Sequence, residues 1–185
     1  MATNAPSSNE PQPSALQTLL TTSASDSSHP QHLTQLALQV AHNLEHQHLW
    51  TDLRIHNTSP LDSSPLPRPM VSGIPPQRLY IHPDEQIALL HTQKAQGRTG
   101  LGEVKAEREW VLPSHLREKW SLRRFADVFE KVGVMPPSND EEEDEEEQQV
   151  NKWRSKKRVV LATVDDDSTI VYYIIHDGIV KPRQN

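Results

Sequence analysis

The stretch "RVVLATVDDDSTIVYYIIHDGIVKP", residues 158–182, carries the strongest structural signal in the chain. Two runs of β-branched, aliphatic and aromatic residues flank the polar tetrad 165–168, "DDDS", which is typical of a turn. This pattern predicts a β-hairpin. Asp177 and Gly178 supply a second turn signal, so Ile179 and Val180 are predicted to add a short final strand.

The second strand of this hairpin is apolar on both faces. Alternation assigns its side chains to two sets, Ile170, Tyr172 and Ile174 on one face and Val171, Tyr173 and Ile175 on the other. An edge strand with one solvated face would have polar residues at alternate positions and would protect its unpaired backbone groups. The strand is therefore either central in a covered sheet or covered by another subunit.

Two helices are predicted upstream of the hairpin. Apolar residues recur at steps of three and four along 31–49, which is the period of an amphipathic helix, and a short extended segment follows from Trp50 to Ile55. The same spacing predicts a helix over 122–132. Ser121 is its expected N-cap, with Trp120 and Phe125 as a hydrophobic staple.

The region between these helices is rich in turn-forming residues. The Pro- and Ser-rich stretch 57–77 is interpreted as a loop. "RLYIH" (78–82) and "QIALLH" (86–91) favour a hairpin, with a helix beginning at Pro83 as the alternative. Three glycines make 92–106 a predicted flexible loop. These glycines lack the strand and spacing of a phosphate-binding loop. "EWVLP" (109–113) predicts a strand that its proline ends.

Composition limits the ordered part of the chain. Of 185 residues, 34% are hydrophobic and 15 are proline, so we expect an ordered core of about 100–120 residues. The predicted fold is α+β, a small mixed sheet packed with two or more helices, in a single domain over 30–182. A disordered tail is expected at 1–29 and an acidic linker at 134–151. The absence of cysteine, signal peptide and long apolar run predicts an intracellular protein without a membrane span.

The charge of the chain is concentrated in one run. Residues 140–147 are eight consecutive acids, and removing them from the net charge of −6 leaves +2. A nearly neutral remainder argues against a stand-alone nucleic-acid-binding protein. The basic residues near the second helix could contact RNA phosphates or simply form a solvated face; they are Arg117, Lys119, Arg123 and Arg124.

Histidines offer two further candidate sites, and both have simpler explanations. His42 and His46 are four residues apart on the first predicted helix, but no third ligand for a metal is evident. His176 beside Asp177 imitates an acid–base pair, yet it is also an ordinary strand-end residue. We therefore predict no metal site and no cofactor.

The chain from about residue 33 to 182 resembles one known family. Ser155 to Pro182 is similar to the C-terminal domain of tRNA-splicing endonucleases, in which a basic element leads into a hairpin of this type. "DSTIVYYIIHDGIVKP", together with "REWVLPSHLREKWSLRRFADVF" (108–129) and "LALQVAHNLEHQHLWTDLRIH" (36–56), resembles the smallest, non-catalytic subunits of the eukaryotic enzyme. The resemblance implies the endonuclease fold.

The resemblance also bears on catalysis. In catalytic subunits a Tyr acts as base, a His as acid, and a Lys stabilises the charged phosphorane. Lys156 or Lys157 occupies roughly the Lys position, but the segment 114–151 contains no Tyr and only His115. No catalytic residue is therefore assigned. Lys156, Lys157 and Arg158 remain candidates for lying near RNA.

What remains, by resemblance, is a role in assembly. The resemblance implies that Ile170, Val171, Tyr172, Tyr173, Ile174 and Ile175 pair with another subunit and that Asp165, Asp166 and Asp167 enter a basic pocket on a neighbour. The expected partners are catalytic and scaffold subunits in a heterotetramer, with precursor tRNA contacted indirectly and nuclear localisation favoured over the mitochondrial surface. The isolated chain could form homodimers. The alternatives are an acidic-linker adaptor outside tRNA processing and a self-sufficient RNase, which the incomplete triad disfavours.

Overall fold

A computed structural model describes residues 13–15, 17–18, 29–102, 104–137 and 153–178. Five strands form one sheet in the order β1-β2-β3-β4-β5, antiparallel except for the parallel β3–β4 pair. The elements, in chain order, are α1 (Gln31–His46), β1 (Thr51–Thr58), β2 (Pro65–Ile74), α2 (Pro83–Ala95), β3 (Glu109–His115), α3 (Leu122–Lys131), β4 (Arg158–Val164) and β5 (Ile170–His176). The predicted α+β fold with a mixed sheet is confirmed.

The two faces of the sheet bury separate apolar clusters. Side chains alternate along β3, so Val111 lies in the cluster beneath α1, whereas Trp110 and Leu112 lie in the cluster beneath α3. All three side chains are fully buried. β3 is the third of the five strands and lies at the centre of the sheet. Helix α1 covers one face of the sheet, and helix α3 covers the other.

The hairpin at the end of the chain forms as predicted. β4 and β5 pair from Arg158–His176 to Val164–Ile170, and the turn closes with a bond from the Asp165 amide to the Thr169 carbonyl. β5 lies at the edge of the sheet, so the alternative that it is a central strand is wrong. The proposed final strand at 179–180 lies outside the described residues.

Helix α1 also matches its prediction, although it ends at His46 rather than at residue 49. Leu49 has a φ of 57°, a left-handed conformation that ends the helix, and the Trp50 amide bonds back to the Leu44 carbonyl. The chain is thereby turned directly into β1, which confirms the extended segment predicted from Trp50 onward.

The interpretation of 57–77 as a loop was wrong, because β2 runs through it and pairs with both β1 and β3. The prolines within β2 fall in its first half, from Pro65 to Pro69. Only residues 71–73 of β2 are in register with β3, and the register with β1 shifts near residue 65. Prolines are tolerated there because few ladder bonds require their missing amide hydrogens.

The predicted hairpin over 78–91 was also wrong, and the alternative of a helix beginning at Pro83 is correct. His82 is the N-cap, and its Nδ1 accepts a bond from the Asp84 amide at 3.2 Å. Proline at the first helical position and Asp84 and Glu85 in the first turn suit a helix start. The helix continues to Ala95, so the glycine-rich loop begins later than predicted.

Strand β3 extends two residues beyond Pro113 rather than ending there. Pro113 pairs with Ala162 in the parallel ladder, and its carbonyl accepts a bond from Arg68 Nη1 at 2.6 Å. The backbone groups of Pro113 thus face β2, where no amide hydrogen is required. The missing hydrogen of proline does not interrupt the pairing with β4.

Helix α3 confirms its predicted start. Ser121 Oγ accepts a bond from the Arg124 amide at 3.3 Å, and the rings of Trp120 and Phe125 stack with centroids 4.6 Å apart. Each described helix falls short of the length and hydrophobicity that crossing a bilayer requires. Most of the predicted N-terminal tail, and the acidic run 140–147, lie outside the described residues.

Candidate functional site

Strand β5 forms one edge of the sheet and pairs, in the part of the chain that the structure describes, only with β4. Its outer edge therefore has backbone amide and carbonyl groups with no ladder partner. Ile170, Tyr172, Ile175 and His176 are half-buried, whereas Val171, Tyr173 and Ile174 are exposed. The predicted pairing strand is thus divided between the core of this chain and its surface.

Tyr172 belongs to the core face. Its ring packs against the cluster beneath α1, and its hydroxyl donates a bond to Asn43 Oδ1 at 2.6 Å. His48 approaches the ring edge-on at 5.1 Å. Burial raises the pKa of the Tyr172 phenol. The hydroxyl is therefore a neutral donor that ties the hairpin to α1.

Tyr173 and Val171 form the opposite face, on the side of the sheet that α3 covers only in part. Tyr173 is 55% exposed and Val171 is 44% exposed. In the ladder they lie opposite Leu161 and Thr163, both half-buried. We call these four residues, Leu161, Thr163, Val171 and Tyr173, the hairpin face. It is an apolar strip beside a free strand edge, the arrangement that strand addition by another chain uses.

The three aspartates of the turn at the tip of the hairpin already have contacts within this chain. Asp166 Oδ1 lies 3.1 Å from His115 Nε2, and Asp166 Oδ2 pairs with Arg117 Nη2. Asp165 Oδ1 accepts a bond from the Asp166 amide, and Asp167 Oδ1 accepts one from the Thr169 amide. The Thr169 bonds lower the pKa of Asp167. The chain thus neutralises Asp166 itself and leaves Asp165 and Asp167 charged at the tip.

The three basic residues that precede the hairpin have different environments. Lys156 is exposed, whereas Lys157 Nζ donates a bond to the Phe129 carbonyl at the end of α3, at 2.7 Å. Arg158 is 5% exposed and its guanidinium is held in buried ion pairs. Because it is buried, Arg158 is not available to contact RNA, and this part of the prediction is wrong.

These ion pairs belong to a buried cluster that the sequence analysis missed. Glu109, on β3, pairs with Arg154 and Arg158, and both arginines also pair with Glu107. Arg78 joins Glu107 to Glu85 at the start of α2. Burial opposes the charged form of Arg158, but Glu109 and Glu107 outweigh it, so the pKa of Arg158 is raised.

We call the six side chains Arg78, Glu85, Glu107, Glu109, Arg154 and Arg158 the arginine–glutamate cluster. It contains three arginines and three glutamates, so its formal charge is zero. A signal for it was present in the sequence. "EWVLP" places Glu109 in a strand whose other residues are apolar, and a carboxylate there requires a buried cation.

A second set of charged side chains stabilises the connection between β3 and α3. Arg68 donates two bonds to Glu118, at 2.9 and 2.6 Å, and Arg124 donates one at 2.6 Å. Both guanidinium groups also lie over the Trp120 ring. Burial disfavours charge on Glu118, but the two arginines outweigh it and lower the pKa of Glu118 to about 2. A small polar cleft of about 280 Å³ opens beside this group.

The candidate histidine sites do not assemble into a metal centre. His42 and His46 stack with ring centroids 4.2 Å apart, and His46 Nδ1 contacts the His42 carbonyl. Across the described ranges, no three His, Asp or Glu side chains are arranged to hold a metal ion. His176 packs edge-on against Tyr80 at 4.7 Å. Burial and the charge of Arg158 lower the pKa of His176, so its ring is a neutral packing group.

Comparison with known proteins gives two findings. A family model described as Sen15 protein matches residues 39–185 of this chain. A protein from Neurospora crassa named "Probable tRNA-splicing endonuclease subunit tsp-1" is 44% identical over 158 residues. The match covers 84% of this chain and 68% of the Neurospora protein. The β-hairpin and both covering helices fall within the residues that the family model matches, apart from the first part of α1.

Proposed function

The chain belongs to the Sen15 family, and from that premise we propose that it is a structural, non-catalytic subunit of the tRNA-splicing endonuclease. One observation carries the structural part of the proposal. β5 is an edge strand with an exposed apolar face, which a soluble protein normally protects. We infer that the free edge of β5 and the hairpin face are where the other subunits of the complex bind.

This surface would supply part of the free energy of a lasting contact. Full burial of an aliphatic or aromatic side chain contributes about 1.5–3 kcal/mol. Tyr173 and Val171 retain roughly half of their surface for such burial. Backbone bonds along the free edge would add geometric register, because a partner strand can pair there only at alternate residues. The partners we propose are catalytic and scaffold subunits within a heterotetramer.

The acidic turn is proposed to orient the partner. Asp166 already pairs with Arg117 and contacts His115, whereas the side chains of Asp165 and Asp167 accept bonds from backbone amides of the turn. A basic pocket on a neighbour would therefore meet Asp165 and Asp167 first. Exposed charges of this kind contribute to specificity and association rate more than to affinity.

The arrangement of the tyrosines supports a non-catalytic role. The chain has three, and each has a structural contact or lies on the proposed docking surface. Tyr80 packs on His176 and Arg158, Tyr172 bonds to Asn43, and Tyr173 lies on the hairpin face. His115 is turned toward Asp166, and Lys157 toward the Phe129 carbonyl. A Tyr, a His and a Lys converging on one phosphate are not found among the described residues.

Precursor tRNA is proposed to be an indirect ligand, reached through the catalytic subunits. The described surface has mixed charge near α3, where Glu118 neutralises Arg68 and Arg124. Of Lys156, Lys157 and Arg158, the exposed residue is Lys156. Localisation in the nucleus is proposed from the family resemblance alone.

Affinity purification of the tagged chain, with identification of the proteins retained, tests the proposal. The expected result is stoichiometric recovery of the catalytic and scaffold subunits and cleavage of intron-containing precursor tRNA by the assembled complex. The chain alone should not cleave that tRNA. Recovery of unrelated partners would support the adaptor alternative, and cleavage by the purified chain that is lost on Lys156→Ala or His115→Ala would show an active enzyme.

A further inference from the structure

Helix α2 carries two exposed apolar side chains, whereas Leu89 is half-buried on the same side as Gln86 and Gln93. A surface helix normally turns apolar residues toward the protein and polar residues toward water. In α2 the half-buried positions include Gln86 and Gln93, while Ile87 and Leu90 are 53% and 42% exposed. Ile87 and Leu90 are three residues apart and therefore lie on one face. Within the described part of the chain, Ile87 and Leu90 therefore contribute little to packing.

The helix is nevertheless held firmly at its first turn. Glu85, the buried residue of α2, pairs with Arg78 Nη1 at 2.6 Å, and Arg78 also pairs with Glu107. Through Glu107 the helix is joined to Arg154 and Arg158 of the arginine–glutamate cluster. Burying these charges costs desolvation energy, so apolar packing would have anchored the helix more simply. The cluster fixes the direction in which the helix projects.

The position of α2 connects it with the proposed docking surface. The segment that leads into it packs on the hairpin, because Tyr80 contacts His176, the last residue of β5, at 4.7 Å between ring centroids. Leu79 packs against the same cluster as Tyr172. A partner that adds to the edge of β5 therefore meets the start of α2 at the far end of that strand.

The charge of α2 indicates the chemistry of its partner. Lys94 in the last turn and Arg98 just after it are exposed, and neither is in an ion pair with a described residue. Two cations beside an apolar stripe suit a protein surface that carries aliphatic side chains flanked by carboxylates. Phosphate-rich RNA would meet the cations but leave Ile87 and Leu90 in water, so a protein is the better fit.

We propose that the outward face of α2, made of Ile87, Leu90 and Lys94, together with Arg98 just after the helix, is a second docking surface for the subunit that binds β5. The partner contributes an apolar patch with adjacent carboxylates. This inference rests on the proposed function, since it assigns a further contact within the same complex. A second contact would hold the partner at two separate places on this chain.

The experiment compares reconstituted complexes that contain full-length variants. Ile87→Gln with Leu90→Gln keeps good helix formers and removes the apolar stripe. The control is Leu122→Gln, which removes a leucine that is 90% exposed at the start of α3. Affinity for the purified β5 partner is measured by titration, and helix content and melting temperature are recorded for each free variant.

We expect the double variant to bind about tenfold more weakly, at unchanged melting temperature, while Leu122→Gln binds normally. Lys94→Glu with Arg98→Glu should also weaken binding, and more strongly at low salt. Full affinity of both double variants, with Tyr173→Asp still defective, would overturn the α2 proposal and leave the proposed function intact. Loss of precursor tRNA binding at unchanged subunit affinity would overturn it in favour of an RNA contact.

Discussion

Tyr172 and Tyr173 are neighbours on one strand, yet they belong to different surfaces. Tyr172 is half-buried, bonds to Asn43 and completes the core beneath α1. Tyr173 is 55% exposed on the hairpin face, where the cover provided by α3 ends. The two residues have the same chemistry, so their difference comes entirely from what lies opposite each face of the sheet.

This comparison explains why β5 is apolar on both faces. Tyr172 stabilises the fold of the chain on one face, whereas Val171 and Tyr173 on the other face are available to a different molecule. In an edge strand that served only the fold, the second face would be polar. We therefore predict that substitutions at Tyr172 mainly affect stability, whereas substitutions at Tyr173 mainly affect assembly.

The largest expected effect is on the core face. Tyr172→Asp places a carboxylate among apolar side chains and should lower the free energy of unfolding by about 4 kcal/mol or more, because the charge has no buried partner. Urea unfolding of the purified chain measures it. Tyr172→Phe is the matched control and should cost only about 1 kcal/mol, the contribution of the bond to Asn43. Equal stability of Tyr172→Asp and the unmodified chain would contradict the assignment.

A second large effect is expected in the arginine–glutamate cluster, where Glu109 pairs with Arg158 at the start of β4. Glu109→Gln removes the carboxylate that neutralises Arg154 and Arg158, so the free energy of unfolding should fall by about 3 kcal/mol. The measurement is again urea unfolding. Replacing Glu130, which is exposed on α3, with Gln is the control and should change stability by less than about 0.5 kcal/mol. A small effect at Glu109 would mean that water reaches the arginine–glutamate cluster.

A substitution at Tyr173, on the exposed face, should leave stability nearly unchanged and should weaken binding of the partner. Tyr173→Asp should change the free energy of unfolding by less than about 0.5 kcal/mol, because the side chain already reaches solvent. Its affinity for the partner subunit should fall about 100-fold, since a carboxylate would be buried in an apolar contact. Titration with the purified partner and calorimetry of the free chain give the two values. A large loss of stability would place Tyr173 in the core and remove the contrast with Tyr172.

A smaller effect is expected at the connection between β3 and α3, which lies on the same side of the sheet as Tyr173. Glu118→Gln should lower the free energy of unfolding by about 2 kcal/mol at neutral pH, through weakened bonds from Arg68 and Arg124.

The pH dependence has a defined sign. The pKa of Glu118 is about 2 in the folded chain and about 4.3 in an unfolded one. Its contribution is therefore complete above the unfolded value and is lost as the pH falls toward 2. The stability difference between Glu118→Gln and the unmodified chain should shrink over that range. A constant difference would show that Glu118 is not the titrating group.

The sequence correctly predicted the helices and strands that depend mainly on neighbouring residues. The hairpin follows from two β-branched runs around a turn, and α1 and α3 follow from their apolar period and the Ser121 cap. β2 was missed because its prolines are tolerated only where β3 does not pair with it, which depends on tertiary context. α2 was predicted only as the alternative to a hairpin, because Ile87 and Leu90 face outward and the pattern around Ile87 resembled a strand.

The site was predictable to a similar extent. The sequence indicated that one face of β5 needed a partner, but it could not say that Tyr173 rather than Tyr172 lay there. That assignment depends on which face α1 covers. The arginine–glutamate cluster joins residues from 78 to 158, and pairings between such distant residues have no local spacing that a single sequence reveals.

Hydrogen exchange of β5, in the free chain and in the assembled complex, tests the central claim most directly. The peptide covering residues 168–177 should exchange faster in the free chain, since its outer edge is unpaired, and should become protected when the endonuclease assembles. The peptide covering β3 should be protected in both states, because β3 is paired on both sides. Unchanged exchange of the β5 peptide on assembly would contradict the account.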